Sequence, residues 1–154
     1  MTERKAGNSI HKILVGVDGS DSSIAALKWA SELAAKEGAH VDVFTSWQTP
    51  FPTFELIAIG FNLDMSEIND RPAKIAQYRL EKTVHAVYGE PHPKGVDFII
   101  EEGYPGLVLV ERSASVDLLV LGNRGHSPIV ENLLGSVSTH CVSYAHCPVV
   151  IIKA

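Results

Sequence analysis

Hydrophobic residues in this chain form short apolar runs that alternate with longer segments of helical periodicity. The short runs are rich in β-branched residues, which is typical of buried strands in a parallel sheet. The longer segments repeat apolar residues at the spacing of one helix face. Five strands are predicted, at residues 13–17, 41–47, 96–100, 117–121 and 148–152. Four helices are predicted, at about 21–37, 66–89, 105–113 and 136–145.

Strict alternation of strands and helices favours a single α/β domain. We expect a Rossmann-like three-layer sandwich, with a five-stranded parallel sheet and about four helices, over residues 11–154. Polar residues 1–10 are predicted to form a flexible arm. Residues 48–65 contain Pro50 and Pro52 and are interpreted as a variable loop and a candidate lid. The second helix is expected to bury Ile75, Tyr78, Arg79, Leu80, Thr83, Val84 and Val87 along one face, and Trp29 and Trp47 to pack in the core or a cleft.

Composition excludes several functional classes. A length of 154 residues fits one domain with a sizeable core. The net charge of −5 argues against a general nucleic-acid binder, which would need a basic face. No apolar leader and no run of about 20 apolar residues is visible, which favours a cytoplasmic protein without a membrane partner. Cys141 and Cys147 form neither a disulfide framework nor a zinc motif.

One glycine spacing near the C-terminus carries the main chemical signal. Gly122 and Gly125 follow a predicted strand, and nine residues later Gly135 and Ser136 open a predicted helix. Glycines at such a junction let backbone N–H groups approach an anion, and the helix N-terminus adds its positive dipole end. This pattern predicts a phosphate cradle, and on a small α/β domain a phosphate cradle indicates a nucleotide.

Two common phosphate motifs do not match. A Walker A loop needs a Lys followed by Ser or Thr after its last glycine, whereas Gly135 is followed by Ser136 and Val137. The dinucleotide fingerprint belongs after the first strand, where this chain has residues 18–22, Asp-Gly-Ser-Asp-Ser. Both polar loops would nevertheless face one crevice if the first and fourth strands are neighbours, because ligands bind beyond the carboxyl ends of such strands.

The arrangement resembles the universal stress protein family, in its ATP-binding branch. The hallmark of that family, Gly-x2-Gly-x9-Gly-Ser/Thr, is matched without a gap by Gly122, Gly125, Gly135 and Ser136. Residues 15–20, 117–122, 133–138 and 147–151 are also similar to the first strand and turn, the fourth strand, the last helix start and the last strand of the family.

The resemblance implies a role for each matching position. Residues 122–126 would wrap the phosphates and ribose, and residues 135–138 would hold the terminal phosphates, with the serine hydroxyls as added donors. Asp18 would lie near the phosphates or a bound divalent ion such as Mg²⁺, and Gly16 would leave backbone room beside the ligand. Val43 and Ser46 would border adenine through their backbone. The implied set is Gly16, Asp18, Val43, Ser46, Gly122, Asn123, Arg124, Gly125, His126, Gly135, Ser136, Val137 and Ser138, with Asp18 also the metal ligand.

A plainer interpretation exists for several of these residues. The glycine loop could be only a tight connection, and Asp18 only a turn or capping residue. Arg124 could point into solvent, and His126 could be a bystander. His140 and His146, on the last predicted helix, are expected to pack or be solvated, and Cys141 to be a small buried residue.

The functional hypothesis is an ATP-binding stress or signalling switch. At most slow ATP hydrolysis is expected, because neither a nucleophile–base pair nor a metal cluster is evident. The alternatives are a non-nucleotide dimerising module of the same fold and a cAMP-binding protein. A homodimer through residues 148–152 is expected, because an apolar edge strand invites pairing with a second copy. The sequence does not identify the downstream protein partner.

Overall fold

Three segments of the chain are described by a computed structural model: residues 9–48, 65–125 and 133–154. In chain order the elements are β1 (Lys12–Gly16), α1 (Asp21–Glu37), β2 (His40–Trp47), α2 (Met65–Tyr88), β3 (Val96–Glu102), α3 (Pro105–Ser113), β4 (Leu118–Gly122), α4 (Ser136–Tyr144) and β5 (Val149–Ile152). The candidate lid, His126 and most of the predicted arm lie outside the described residues, although Ile10 packs against the core.

The five strands form one parallel sheet in the order β3-β2-β1-β4-β5. The chain builds outward from β1 through β2 to β3, and then crosses to β4 on the other side of β1. The reversal of direction leaves a crevice between the loops that follow β1 and β4. The predicted parallel α/β architecture and the adjacency of the first and fourth strands are therefore confirmed.

Each face of the sheet carries its own apolar core, because alternate residues of a strand point to opposite faces. On one face Ile13, Val15 and Val43 pack with Leu27 of α1 and Leu80 of α2. The other face has a smaller core, shared with α3 and α4, and its buried members include Leu14, Phe44, Leu109, Leu119 and Cys141. The result is the predicted three-layer sandwich. None of the described helices combines the length and apolarity needed to cross a membrane.

The structure corrects the buried face of α2. Ile75 and Tyr78 were expected in the core, but half or more of each is exposed to solvent. Leu80, Thr83 and Val84 are buried as expected, Ala76 is buried with them, and Arg79 is exposed. The buried Ala76, Leu80 and Val84 recur every four positions and form one stripe along the helix, and Ile75 and Tyr78 lie beside that stripe.

Two smaller expectations also change. Trp29 lies on an exposed position of α1 and is not part of the core. His146 lies beyond the end of α4, and its backbone N–H donates to Ser113 Oγ at 2.8 Å. Cys141 is fully buried, as predicted.

Candidate functional site

A cavity of about 220 Å³ opens at the carboxyl ends of β1, β2 and β4, where the strand order reverses. The loops after β1 and β4 and the first turns of α3 and α4 complete its walls. Its lining consists of Gly16, Val17, Asp18, Ser23, Phe44, Thr45, Ser46, Pro105, Leu109, Leu121, Gly122, Arg124, Gly125, Leu133, Leu134, Gly135, Ser136, Val137 and Ser138.

The lining divides by chemistry into two parts. Phe44, Leu109 and Leu121 supply apolar surface from β2, α3 and β4. The turn after β1, the glycine loop and the N-terminus of α4 supply polar groups, including the side chains of Asp18 and Arg124. Such a lining suits a ligand with a flat apolar part and an anionic part.

The N-terminus of α4 offers unpaired backbone donors to this cavity. Gly135 is the N-cap residue, with φ −63° and ψ 162°, and it makes no side-chain capping hydrogen bond. The N–H of Thr139 donates to Gly135 O at 2.9 Å and begins the helical ladder. The N–H groups of residues 136–138 precede that ladder and have no acceptor within the helix, so together with the helix dipole they form an anion site.

The glycine loop is held in place by hydrogen bonds to three elements. Asn123 N–H donates to Ile152 O of β5 at 2.9 Å, and Gly135 N–H donates to Asn123 O at 2.8 Å. The carbonyl oxygen of Arg124 accepts from the hydroxyls of Ser20 and Ser22, at the start of α1. These bonds hold the described parts of the loop, residues 122–125 and Gly135, without a ligand.

Two of the glycines are required by the packing of the protein itself. A Cβ at Gly122 would lie 2.7 Å from the backbone carbonyl carbon of Ser22 and closer still to its hydroxyl. A Cβ at Gly16 would lie 2.6 Å from Leu121 Cδ2. Gly16 borders the cavity, as the family resemblance implies, but the neighbour that needs its bare backbone is Leu121.

Gly125 and Gly135 differ in the room around them. A Cβ at Gly125 would lie 2.6 Å from Asp18 Oδ2, so the loop backbone and this carboxylate are in close approach. A Cβ at Gly135 would lie 3.6 Å from Arg124 Cα, which is ordinary van der Waals contact. Packing among the described residues therefore leaves room for a side chain at Gly135.

Asp18 closes a turn and also lines the cavity. Its Oδ1 accepts from Ser20 N–H at 2.9 Å, which closes the turn that leads into α1. Ser20 in turn caps α1, because its hydroxyl accepts from Ser23 N–H at 3.3 Å. Oδ2 is the oxygen that lies against Gly125. Asp18 is the single carboxylate among the described lining residues.

Arg124 lies between this cavity and a second, more polar crevice lined by Gly19, Ser20, Asp21, Ser22, Asn123, Arg124, Gly125 and Ala154. Its Nε is buried and makes no hydrogen bond to any part of the chain that the structure describes. A buried donor without a partner costs about 1–3 kcal/mol. An anion seated beside the guanidinium would remove that cost.

The structure brings most of the sequence-predicted site residues to one place. Those that line the cavity are Gly16, Asp18, Ser46, Gly122, Arg124, Gly125, Gly135, Ser136, Val137 and Ser138. Asn123 lines only the second crevice. The hydroxyl of Ser138 donates to Gly122 O at 2.7 Å, so its proton already has an acceptor in the protein.

The side chain of one predicted site residue, Val43, lies in the core. It is fully buried in the core shared with α1 and α2 and does not line the cavity. Strand alternation sends its neighbour Phe44 to the other face, so β2 reaches the cavity through Phe44, Thr45 and Ser46. The apolar contributors Pro105 and Leu109 were also missed. Pro105 at the start of a helix that follows a parallel strand is a signal that could have found them.

The Universal stress protein family matches the chain over residues 9–153. The chain belongs to this family. A universal stress protein of Mycolicibacterium smegmatis is 32% identical over 147 residues, which are 91% of this chain and 47% of that relative. The chain thus spans about half the length of that relative.

Solved structures show the same fold. The universal stress protein UspA from Lactobacillus plantarum superposes with a TM-score of 0.76 at 25% identity, over 95% of this chain and 99% of that one. A universal stress protein in complex with cAMP superposes with a TM-score of 0.59 at 26% identity, over 95% and 98% of the two chains.

Proposed function

We propose that this universal stress protein binds an adenine nucleotide, ATP in particular, in the cavity at the switch point. The observation that carries the proposal is the pairing of unsatisfied donors with apolar walls. The first N–H groups of α4 have no acceptor within the helix, and the buried Nε of Arg124 has no partner among the described residues. Both border the same cavity as Phe44 and Leu109.

The chemistry of the lining suggests where each part of the nucleotide would bind. Adenine would pack between the apolar side chains, with the end of β2 at Thr45 and Ser46 beside it. The phosphates would accept from the N-terminus of α4 and from Arg124. A Mg²⁺ ion would suit the carboxylate in the lining, because Mg²⁺ in proteins is commonly held by one or two carboxylates together with substrate phosphates. Asp18 would be that carboxylate.

The nucleotide would act mainly as a signal. Asp18 is the single acidic side chain among the described lining residues, and it already closes a turn. The described lining also contains no histidine, cysteine or lysine. A dedicated base for attack on the terminal phosphate is therefore missing from the described wall, and only slow hydrolysis, assisted by Mg²⁺, is expected. A cytoplasmic location belongs to the same proposal.

A second candidate ligand is cAMP. It is favoured by the structural similarity to a universal stress protein in complex with cAMP. Both ligands present adenine and phosphate, so the apolar walls do not separate them. The cyclic phosphate carries one negative charge and needs no metal ion, so binding that is unaffected by removal of Mg²⁺ would favour cAMP.

The test begins with the nucleotide that the purified protein carries. The full chain is denatured, and any released nucleotide is identified by mass spectrometry. The stripped protein is then titrated with ATP, ADP and cAMP by calorimetry, with and without Mg²⁺. The same titrations are run on Arg124→Ala and on Arg79→Ala, whose side chain is exposed on α2 and serves as the matched control.

The proposal expects Mg²⁺-dependent ATP binding that Arg124→Ala weakens at least about tenfold, because a hydrogen bond to a charged group contributes roughly 1.5–3 kcal/mol. Arg79→Ala should bind as the parent does. A stripped, folded protein that binds none of the three nucleotides would leave the cavity without this function, and the dimerising-module hypothesis would replace it.

We also propose that two copies pair through β5. This strand is one edge of the sheet, and all four of its residues are half-buried. Leu119 N–H donates to Pro148 O and Asn123 N–H donates to Ile152 O, so residues 148 and 152 turn their carbonyls toward β4. By alternation Val149 and Ile151 direct their backbone groups to the open edge, where a second strand can pair.

The backbone pattern supplies a matched pair of variants for this interface. Ile151→Pro removes one backbone N–H at the open edge and leaves the backbone hydrogen bonds to β4. Ile151→Ala also loses the isoleucine side chain but keeps that N–H. Light scattering on a sizing column should show a dimer for the parent and for Ile151→Ala, and a monomer for Ile151→Pro. Equal dimerisation of both variants would place the interface elsewhere.

A further inference from the structure

Three side chains with metal-ligating atoms meet at the amino end of the sheet, away from the nucleotide cavity. His40 and Asp42 lie two residues apart on β2, so they share one face of the strand. Asp97 of β3 is the register partner of Asp42. The parallel pairing therefore places a histidine and two carboxylates side by side.

The three side chains lie close enough together for one ion to contact all of them. His40 Nε2 lies 3.3 Å from Asp42 Oδ1 and 2.9 Å from Asp97 Oδ2. One ligand atom from each residue can be chosen such that all three lie within 4.8 Å of one another. Ligands at 2.0–2.1 Å around a tetrahedral zinc ion stand about 3.3 Å apart. The three atoms thus need only small movements to surround one ion.

Lys12 forms an ion pair with one carboxylate oxygen of this cluster. Its Nζ lies 3.0 Å from Asp42 Oδ2 and leaves Oδ1 of the same carboxylate facing His40. The two carboxylates carry two negative charges and Lys12 offsets one, so the cluster is negative when His40 is neutral. Asp42 is largely buried, with 8% of its side chain exposed, which strengthens its attraction for a cation.

We propose that His40, Asp42 and Asp97 form a binding site for a divalent transition-metal ion of the zinc class. Neutral imidazole and carboxylate oxygen are a donor set that suits Zn²⁺ and its neighbours in the first transition row. Three protein ligands leave one position of a tetrahedral ion for water or for an outside ligand. The site lies at the opposite end of β2 from Thr45 and Ser46, so it is independent of the nucleotide.

The test uses the full chain, freed of metal with a chelator and without nucleotide. Zn²⁺ binding is measured by calorimetry, and Co²⁺ binding by visible absorption, which reports the geometry and the ligand type. Asp97→Asn and His40→Gln remove one ligand each. Asp97 is 72% exposed, so its replacement preserves the fold. His85→Gln, on an exposed histidine of α2, is the matched control.

We expect one ion per chain, with affinity lowered at least about tenfold by either ligand variant and unchanged by His85→Gln. The Co²⁺ spectrum should show a tetrahedral or five-coordinate ion without the strong charge-transfer band of thiolate ligands. Parent-like Zn²⁺ affinity in a folded Asp97→Asn and His40→Gln would overturn the proposal, as would a thiolate band that points to Cys141 and Cys147. Absence of binding would also overturn it, and would leave His40 as a bridge between two carboxylates.

Discussion

The two ends of β2 present groups of opposite charge, and the two proposals assign them ions of opposite sign. At its carboxyl end, Thr45 and Ser46 border a cavity whose polar groups are largely backbone N–H donors and one guanidinium. At its amino end, His40 and Asp42 present a ring nitrogen and a carboxylate toward Asp97. One end would bind an anion mainly through the main chain, and the other would bind a cation through side chains.

The difference follows from how each end is assembled. A backbone anion site needs glycines where the chain must approach closely, and it needs a helix that starts there. Those requirements constrain one contiguous stretch, residues 122–136. A side-chain site needs only that charged residues occupy paired positions on neighbouring strands, here Asp42 opposite Asp97. Those residues are 55 positions apart, since 97 − 42 = 55.

The largest expected effect is a difference in stability between the same substitution, glycine to serine, at two positions near the carboxyl end of β2. Gly122→Ser would force a Cβ against the backbone of Ser22, and we expect it to lower the free energy of unfolding by about 1–3 kcal/mol. Gly135→Ser has ordinary contact distances, and serine is a favourable N-cap residue. Its free energy of unfolding should stay within about 0.5 kcal/mol of the parent.

Urea unfolding of both variants measures this contrast, and an ATP titration completes it. Both variants should lose ATP affinity under the proposed function, Gly122→Ser through the fold and Gly135→Ser through the new side chain beside α4. Equal stability losses in the two variants would contradict the packing argument. Full ATP affinity in a stable Gly135→Ser would instead move the phosphates away from the N-terminus of α4.

A smaller effect is expected at the amino end. Lys12→Met removes the ammonium beside Asp42, which should strengthen Zn²⁺ binding roughly fivefold by removing a repulsive charge. The free energy of unfolding should fall by about 1 kcal/mol, since the ion pair is only partly exposed. ATP affinity should not change. Lys28→Met, on an exposed position of α1, is the control for loss of a positive charge.

Weaker Zn²⁺ binding in Lys12→Met would mean that the ammonium holds Asp42 in its ligating orientation more than it repels the metal. A change in ATP affinity would be the more serious result, because it would couple the two ends of β2. The two ends would then not be separate sites.

The fold and the anion site were predictable to the extent that their signals are local. The apolar runs gave all five strands, and the glycine spacing led to the residues of the cavity around α4. The buried face of α2 was misjudged at Ile75 and Tyr78, because the choice between two apolar faces depends on what the sheet can accommodate. Phe44 was missed because the prediction used only the backbone of β2, whereas the side chain that reaches the cavity depends on which strand face lines it.

The amino-end cluster could not be found from the sequence. His40 and Asp42 are adjacent on one strand face, but the third side chain, Asp97, comes from a strand whose register with β2 is set by the whole sheet. The spacing of these residues along the chain follows no metal motif. Only the pairing of β2 with β3 makes them neighbours, so this candidate site is a property of the fold and not of a sequence motif.

The smallest effect concerns a thiol in the smaller of the two apolar cores. Cys141 of α4 is fully buried, and burial, followed by the nearby Cys147 thiolate, raises its pKa from 9.0 to about 11. The folded chain therefore holds this proton at a pH where the unfolded chain releases it. Its contribution to stability is complete below about pH 9 and is lost as the pH rises toward about 11.

Urea unfolding at about pH 8 and about pH 10.5 measures this loss. Cys141→Ala should reduce the decline in the free energy of unfolding between the two pH values, because one proton difference is removed. Burial also raises the pKa of Tyr88, so part of the decline should remain in the variant. An unchanged decline in Cys141→Ala would mean that the thiol ionises equally in both states. The interior beside α4 would then be accessible to water in the folded chain.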